Sequence, residues 1–427
     1  MSETRDTLKS STSWRRNLAA IWFAELIAIV GFTVVLPLLP LYVRELGVQG
    51  ERAVRIWSGV IFSSHGVMMG IFAPIWGALS DRYGRKVMVE RAMFGGAVVI
   101  GLMGLVQNVG QLTVLRALQG ALTGTVTAAN ALVATNTPRE RAGYALGLLQ
   151  MAIYVGASAG PLLGGLVADT FGYRATFYTT GALLFLAGLA VAFFVKEDFQ
   201  PVPRPADEHA ASGGSGTGVF ARVGNYLAPV LGSSALLGVL GVRLLMRLGA
   251  RLVGPVLPLF VEAIAPPGAR VASLTGFVSG VSAAAGAVGA LWLGRIGDRI
   301  GYRAILVACA LGSVVCYVPQ FFVNAPTSLL LWQAGTGLAM GGILASISAS
   351  LARLAPEGQE GIVYGVDSSV VSAANAVAPM AGSALAAWLG LRVPFLVAAG
   401  LFVLAGVAAA RLLPERAHRS SGGPGLA

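Results

Sequence analysis

Long apolar runs separated by short polar connections dominate the chain. A helix that crosses a membrane needs about 20 predominantly apolar residues. Twelve runs qualify, near 18–43, 56–79, 87–106, 112–135, 145–168, 175–195, 236–261, 272–293, 304–323, 328–350, 362–386 and 393–413. They predict an all-α membrane protein of twelve transmembrane helices, numbered here as spans 1 to 12. Residues 1–17 are polar, and the apolar run behind them outlasts the roughly 7–15 residues of a signal-peptide core, so no cleavable signal is expected.

The polar connections repeat. Gly77-Ala78-Leu79-Ser80-Asp81-Arg82-Tyr83-Gly84-Arg85-Lys86 returns as Gly294-Arg295-Ile296-Gly297-Asp298-Arg299-Ile300-Gly301-Tyr302-Arg303, an offset of 217. Pro37-Leu38-Leu39-Pro40-Leu41-Tyr42-Val43 is echoed by Pro255-Val256-Leu257-Pro258-Leu259-Phe260-Val261, Gly120 and Gly124 by Gly337 and Gly341, and Gly172, Arg174, Phe177 and Gly188 by Gly390, Arg392, Phe395 and Gly406. Matches at 217 or 218 along both halves predict two six-helix, pseudo-symmetric bundles. The expected organisation is a cytoplasmic tail over 1–17, a first bundle over 18–195, a linker over 196–228, a second bundle over 229–413 and a cytoplasmic tail over 414–427. The linker holds Pro201, Pro203, Pro205 and Ser212-Gly213-Gly214-Ser215-Gly216, the composition of a solvated tether.

Composition agrees with a membrane solvent. Apolar residues make up 56% and charged residues 11%, against roughly 25% charged in soluble domains, and mean hydropathy is +0.74. The net charge of +11 does not imply nucleic acid, because the charges lie in short loops. With both termini inside, 20 of the 30 Lys and Arg residues fall on the cytoplasmic side. Six (Arg44, Arg52, Arg55, Arg174, Arg270 and Arg392) fall outside and four (Arg116, Arg243, Arg247 and Arg251) within spans, as positive-inside topology requires. Cys309 and Cys316 share one apolar run and read as packing residues.

The loop G-x-x-x-D-R-x-G-R-K between spans 2 and 3 resembles that of the major facilitator superfamily. Arg116-Ala117-Leu118-Gln119-Gly120 is similar to its span-4 motif R-x-x-Q-G, and Gly156-Ala157-Ser158-Ala159-Gly160-Pro161-Leu162-Leu163-Gly164-Gly165 resembles the span-5 motif of its drug:proton antiporters. The resemblance implies the major facilitator fold and proton-coupled efflux of amphipathic small molecules by alternating access. It implies no cofactor beyond the proton gradient, and partners limited to a small-molecule substrate, protons and the lipid bilayer, with no nucleic acid and a monomeric state. The second half departs from the pattern, with Gln333 at the place of Arg116 and Ala374, Ala378, Pro379 and Gly382 along span 11.

The residues suggest roles. Gly77, Asp81, Arg82, Gly84, Arg85, Lys86, Asp298 and Arg299 suit a cytoplasmic gate: Asp81 and Asp298 lie just before helix starts, where carboxylates are favoured, and Glu90 and Glu140 are candidate acid partners for the basic residues. Gly156, Gly160, Pro161, Gly164 and Gly165 suit close helix packing that seals the outer side against the second half. An acid within a span costs about 2.5–3.5 kcal/mol or more at the bilayer centre, so Glu25 and Asp367 mark a cavity, a partner or a proton site. Glu25, exchanging protons as Arg116 or a cationic cargo comes and goes, Arg116 itself and Asp367 are the candidate proton-coupling groups; static pairing of Glu25 with Arg116, and a structural or gate role for Asp367, are the alternatives. His65 reads as packing. Arg243, Arg247 and Arg251 form one stripe along span 7, with Arg243 snorkelling to the interface. Four interior arginines against two acids imply a cavity suited to anionic or zwitterionic amphiphiles. Phe62, Tyr154, Trp332, Gln333 and Met340, with Arg247 and Arg251, are candidate substrate contacts.

No phosphate-binding glycine loop or metal cluster is recognisable, so an enzyme or an ATP-driven pump is not expected. An uptake symporter for an organic anion or nutrient would share the fold but has no use for the span-5 signature. A non-transporting membrane receptor would need a soluble domain or a long signalling tail.

Overall fold

The computed structural model describes residues 2–122, 124–138, 141–197, 232–356 and 360–413. Most of the proposed linker and the tail from 414 lie outside the described residues. Among these residues the fold is helical throughout, and ten segments are long and apolar enough to cross a membrane.

Two of the twelve expected spans differ from that standard for identifiable reasons. Span 3, Arg85–Met103, carries Arg85, Lys86, Glu90 and Arg91 in its first two turns. Span 4 is split into Val109–Leu122 and Thr125–Asn136 around Gly124, whose φ of 132° no side-chain-bearing residue adopts easily. Span 1 ends in a short turn and the helix Leu39–Glu45, and span 7 in the helix Leu257–Ile264, because Pro40 and Pro258 interrupt both at equivalent places.

The repeat is visible in three dimensions. Gly84 and Gly301, at φ 96° and 100°, turn span 2 into span 3 and span 8 into span 9 with a single residue. Tyr42 packs on Phe177 at 4.8 Å between ring centroids, and their counterparts Phe260 and Phe395 pack at 5.0 Å. A Cβ on Gly120 would meet the His65 carbonyl, and one on Gly337 the Ser282 carbonyl, again equivalent positions. Each half closes around its own apolar core, one through Ile21, Met93 and Leu184, the other through Met246, Leu306 and Phe402.

The bundles meet along two matching seams, span 5 against span 8 and span 2 against span 11. The first seam runs through Gly165 on Ala272, Gly276 on Pro161 and Gly280 on Ser158, whose hydroxyl donates to the Gly280 carbonyl at 2.9 Å. The second runs through Gly59 on Ser383, Gly66 on Asn375 and Gly70 on Ser372. Both seams occupy the half of the molecule away from the Gly84 and Gly301 turns, called here the far face. Polar contacts close that face: Arg44 to Glu262 at 3.2 Å, Arg55 to the Ala386 carbonyl at 3.0 Å, Asp169 accepting from the Ser273 amide at 2.7 Å, and Arg52 over the Trp388 ring at 3.3 Å. Towards the near face Gly77, Gly143, Gly147 and Gly365 have open space where a Cβ would point. The bundles are joined at the far face and part towards the near one.

Candidate functional site

Span 1 carries Glu25 into the first bundle, where it is wholly buried. Neither carboxylate oxygen takes a hydrogen bond of ordinary geometry. Its nearest polar neighbour is Thr125, just past the break in span 4. Arg116 is not its partner. The Arg116 side chain, also buried, donates through Nη1 to Gln119 one turn on and stands 5.9 Å from the Phe62 ring centroid. Static pairing of Glu25 with Arg116 is therefore corrected: the two lie about two and a half turns apart along span 4, one beside Thr125 and one beside Phe62.

Asp367 of span 11 is held by Arg243 of span 7 at 2.5 Å. Arg243 thus does not snorkel to the interface, because a buried acid within reach satisfies it better than lipid headgroups would. Further along span 7, Arg247 is half-buried with its Nε buried and without an acceptor, and Asp367 and Arg251 are its electrostatic neighbours. Arg251 is exposed and faces His65 of the first bundle. His65 of span 2 faces the same region, with Arg116 and Arg251 as its charged neighbours and its Nδ1 buried without a partner.

The second half replaces the arginine chemistry with a neutral network. Gln333 Nε2 donates to Gln320 Oε1 at 2.9 Å, Gln320 Nε2 donates to Thr336 Oγ1 at 3.1 Å, and Thr336 donates to the Trp332 carbonyl at 2.9 Å. Gln333 is thus committed inside the second bundle. Trp332 lines a pocket of about 560 Å³ at the far end of spans 9 and 10 with Val318, Pro319, Phe322 and Asn324, away from the arginines. Met340 packs against the second core. Gln333 and Met340 thus lie against the second bundle's own core and Trp332 at the far end of span 10. Phe62 lies beside Arg116 and Tyr154 is half-buried on span 5.

At the near face the loop is held differently from expectation. Glu197, just past span 6, accepts from the backbone N–H groups of Arg85 at 3.0 Å and Lys86 at 2.8 Å, capping span 3 where Asp81 was expected to interact. Lys86 Nζ donates to the Ala192 carbonyl at 2.9 Å and stands 3.5 Å from Glu90. Arg303, at the repeat position of Lys86, donates to the Ala410 carbonyl, the repeat position of Ala192. Asp298 accepts from the Tyr302 hydroxyl rather than from backbone amides. Arg82 lies 5.3 Å from the Tyr83 ring centroid, and Arg299 is exposed. The Asp81 side chain and Glu140 lie outside the described residues. Glu197 escaped the sequence reading, although Glu415 stands at its repeat position.

In span 5 the glycines divide between two neighbours. Gly156, Gly160 and Gly164 pack on Ile29, Thr33 and Val34 of span 1, whereas Gly165 with Pro161 faces span 8. Only the second set meets the other half, which corrects the expectation that the whole cluster seals against it. Among the described residues no cluster of His, Cys, Asp and Glu is arranged to hold a metal ion.

Two homologous helical bundles, joined at one face, parted at the other and enclosing charged groups between them, define a secondary transporter of the alternating-access kind. The chain belongs to the major facilitator superfamily, whose profile matches residues 21–246 and 239–426. It is 36% identical over 387 residues to the multidrug resistance protein MdtG of Enterobacter lignolyticus, covering 91% of this chain and 90% of that one. Identity to the protein of the same name from Salmonella typhimurium is 35% over 389 residues, 91% and 93% of the two chains. A bacterial homologue of the human lysosomal transporter Spinster, solved inward-facing and unoccupied, superimposes with a TM-score of 0.74 at 16% identity over 95% of this chain and 98% of that one.

Proposed function

We propose that the protein is a proton-driven exporter of amphipathic small molecules in the cytoplasmic membrane, acting as a monomer. Both termini and the near face are then cytoplasmic, in keeping with the distribution of Lys and Arg, and the joined far face makes this arrangement the inward-facing one. The relatives named as multidrug resistance proteins support export. The observation that carries proton coupling is Glu25, a wholly buried carboxyl that forms no ion pair among the described residues and has the Thr125 hydroxyl as its polar neighbour. An anion left unpaired there is costly, so the arrangement suits the protonated acid, and opening towards the outside would let the proton exchange. Inward proton movement supplies about 2.3 kcal/mol per charge per 100 mV, plus the pH gradient. In this reading Gly77, Asp81, Arg82, Gly84, Arg85, Lys86, Asp298 and Arg299 belong to the cytoplasmic gate, with Glu197 as its anchor. Phe62 and Tyr154 supply apolar contacts.

Transport in everted vesicles with an imposed pH gradient tests this, with ethidium and 8-anilinonaphthalene-1-sulfonate as probes. Wild type is expected to accumulate at least one probe and to lose it on adding a protonophore. Glu25→Gln is expected to lower that accumulation at least tenfold at equal membrane abundance. Full gradient-driven transport in Glu25→Gln would refute Glu25 as the coupling acid, and movement of neither probe would count against export.

A further inference from the structure

Three arginines within the spans form no ion pair with an acid: Arg116 and Arg251 are both neighbours of His65, and Arg251 is a neighbour of Arg247. Arg116 comes from span 4 of the first bundle, Arg247 and Arg251 from span 7 of the second. Among the described residues none of the three stands within ion-pair distance of a carboxylate. Arg116 has a neutral amide and an aromatic ring as partners, and its Nε and that of Arg247 are buried without an acceptor. The acids that could neutralise them are engaged or remote: Asp367 lies 2.5 Å from Arg243, Glu25 lies beside Thr125, and Glu51 and Glu262 are tied to Arg44 at the far face. His65 lies between Arg116 and Arg251 and hydrogen-bonds to the Arg116 backbone, which ties span 2 to the arginine of span 4. Arg251, across from His65, is exposed. Guanidinium groups without an ion-paired acid, two of them with a buried Nε that has no acceptor, describe a site made for an anion.

We propose that Arg116, Arg247 and Arg251, with His65 between the first and the last, form an anion-binding site spanning the two bundles, which takes the carboxylate or sulfonate group of an amphipathic cargo on the guanidinium groups while its apolar body lies along Phe62. Because the donors come from both bundles, cargo binds most tightly when span 4 and span 7 converge, which links binding to the relative position of the halves. The inference names the cargo class of the transport reading above and rests on it for direction only, since binding needs no gradient.

Calorimetric titration of the full-length protein in nonionic detergent, corrected against empty micelles, tests it with 8-anilinonaphthalene-1-sulfonate and ethidium. The sulfonate is expected to bind at least tenfold more tightly than ethidium. Arg251→Gln and Arg247→Gln are each expected to weaken sulfonate binding at least tenfold and to leave ethidium binding unchanged or tighter, while Arg251→Lys retains most of the affinity. Retained ethidium binding and an unchanged unfolding temperature report folded variants; should Arg251→Gln fail to fold, Arg247→Gln and Arg251→Lys carry the comparison. Preference for ethidium in wild type, binding of neither probe, or sulfonate affinity unmoved in Arg247→Gln and in whichever Arg251 variant folds would overturn the site. Anion binding that survives alongside absent vesicle transport would instead sink the export reading and leave the site standing.

Discussion

The ion pair between Asp367 and Arg243, at 2.5 Å and largely buried, ties span 11 to span 7. Breaking a buried pair from one side leaves an uncompensated charge and costs about 3–5 kcal/mol, whereas replacing both partners is often near neutral. Asp367→Asn is therefore expected to lower the unfolding temperature and export together, and Arg243→Gln with Asp367→Asn to restore most of both. A double variant that folds but does not transport would return Asp367 to the proton pathway. Glu25 and Asp367 were conspicuous in the sequence because an acid in an apolar run has few bland explanations. Their partners were not, since Arg243 lies 124 positions from Asp367 and only packing brings them together. The repeat aligns Glu25 with Arg243, and that opposition of charge at equivalent places gave no sign that Arg243 would be neutralised by a different helix. Gln320 passed unnoticed because a lone amide in an apolar run has meaning only once Gln333 and Thr336 are beside it.

At the level of helices, the seams depend on residues without side chains. Gly276 is the sharpest case: a Cβ there would lie 2.1 Å from the Pro161 carbonyl oxygen, which belongs to a backbone and cannot swing aside. Adding even one methyl to a well-packed contact costs about 1–3 kcal/mol. Gly276→Ala is expected to part spans 5 and 8, disfavour the arrangement joined at the far face and cut transport at least tenfold. Gly147→Ala, where nothing lies within 4 Å, is expected to leave transport within about twofold. Equal effects of the two would mean that the seam is not what limits the cycle. The importance of the span-5 glycines was legible from their spacing. Which neighbour each one meets was not, because adjacent Gly164 and Gly165 point about 100° apart on a helix and so pack on different elements. Span 4 was legible as an apolar run but not as a broken one, since Gly124 takes its unusual φ only in the folded chain.

Across the whole molecule the repeat was the most legible feature, and its three-dimensional counterpart is the matching of the two seams: Gly59 and Gly276 are repeat equivalents, as are Ser383 and Gly165, and each pair makes the corresponding contact. Where the halves diverge, the chemistry sits: a buried acid and a buried arginine in one, a neutral amide network, a paired arginine and two unpaired ones in the other. Alternating access requires that both seams open in part during each cycle, so a covalent tie across either one should stop it. The Gly70 position suits such a tie, because a Cβ there would lie 3.1 Å from the Ser372 Cβ, within a few tenths of an ångström of the roughly 3.5–4.5 Å that a disulfide spans. In a background carrying Cys309→Ser and Cys316→Ser, the pair Gly70→Cys with Ser372→Cys is expected to crosslink on mild oxidation in membranes. Export should then fall at least tenfold and recover on reduction, while binding of 8-anilinonaphthalene-1-sulfonate persists, because the cavity stays open towards the near face. Transport that continues through the crosslinked protein would mean that spans 2 and 11 move as one body and that the halves rock about this seam instead of parting along it.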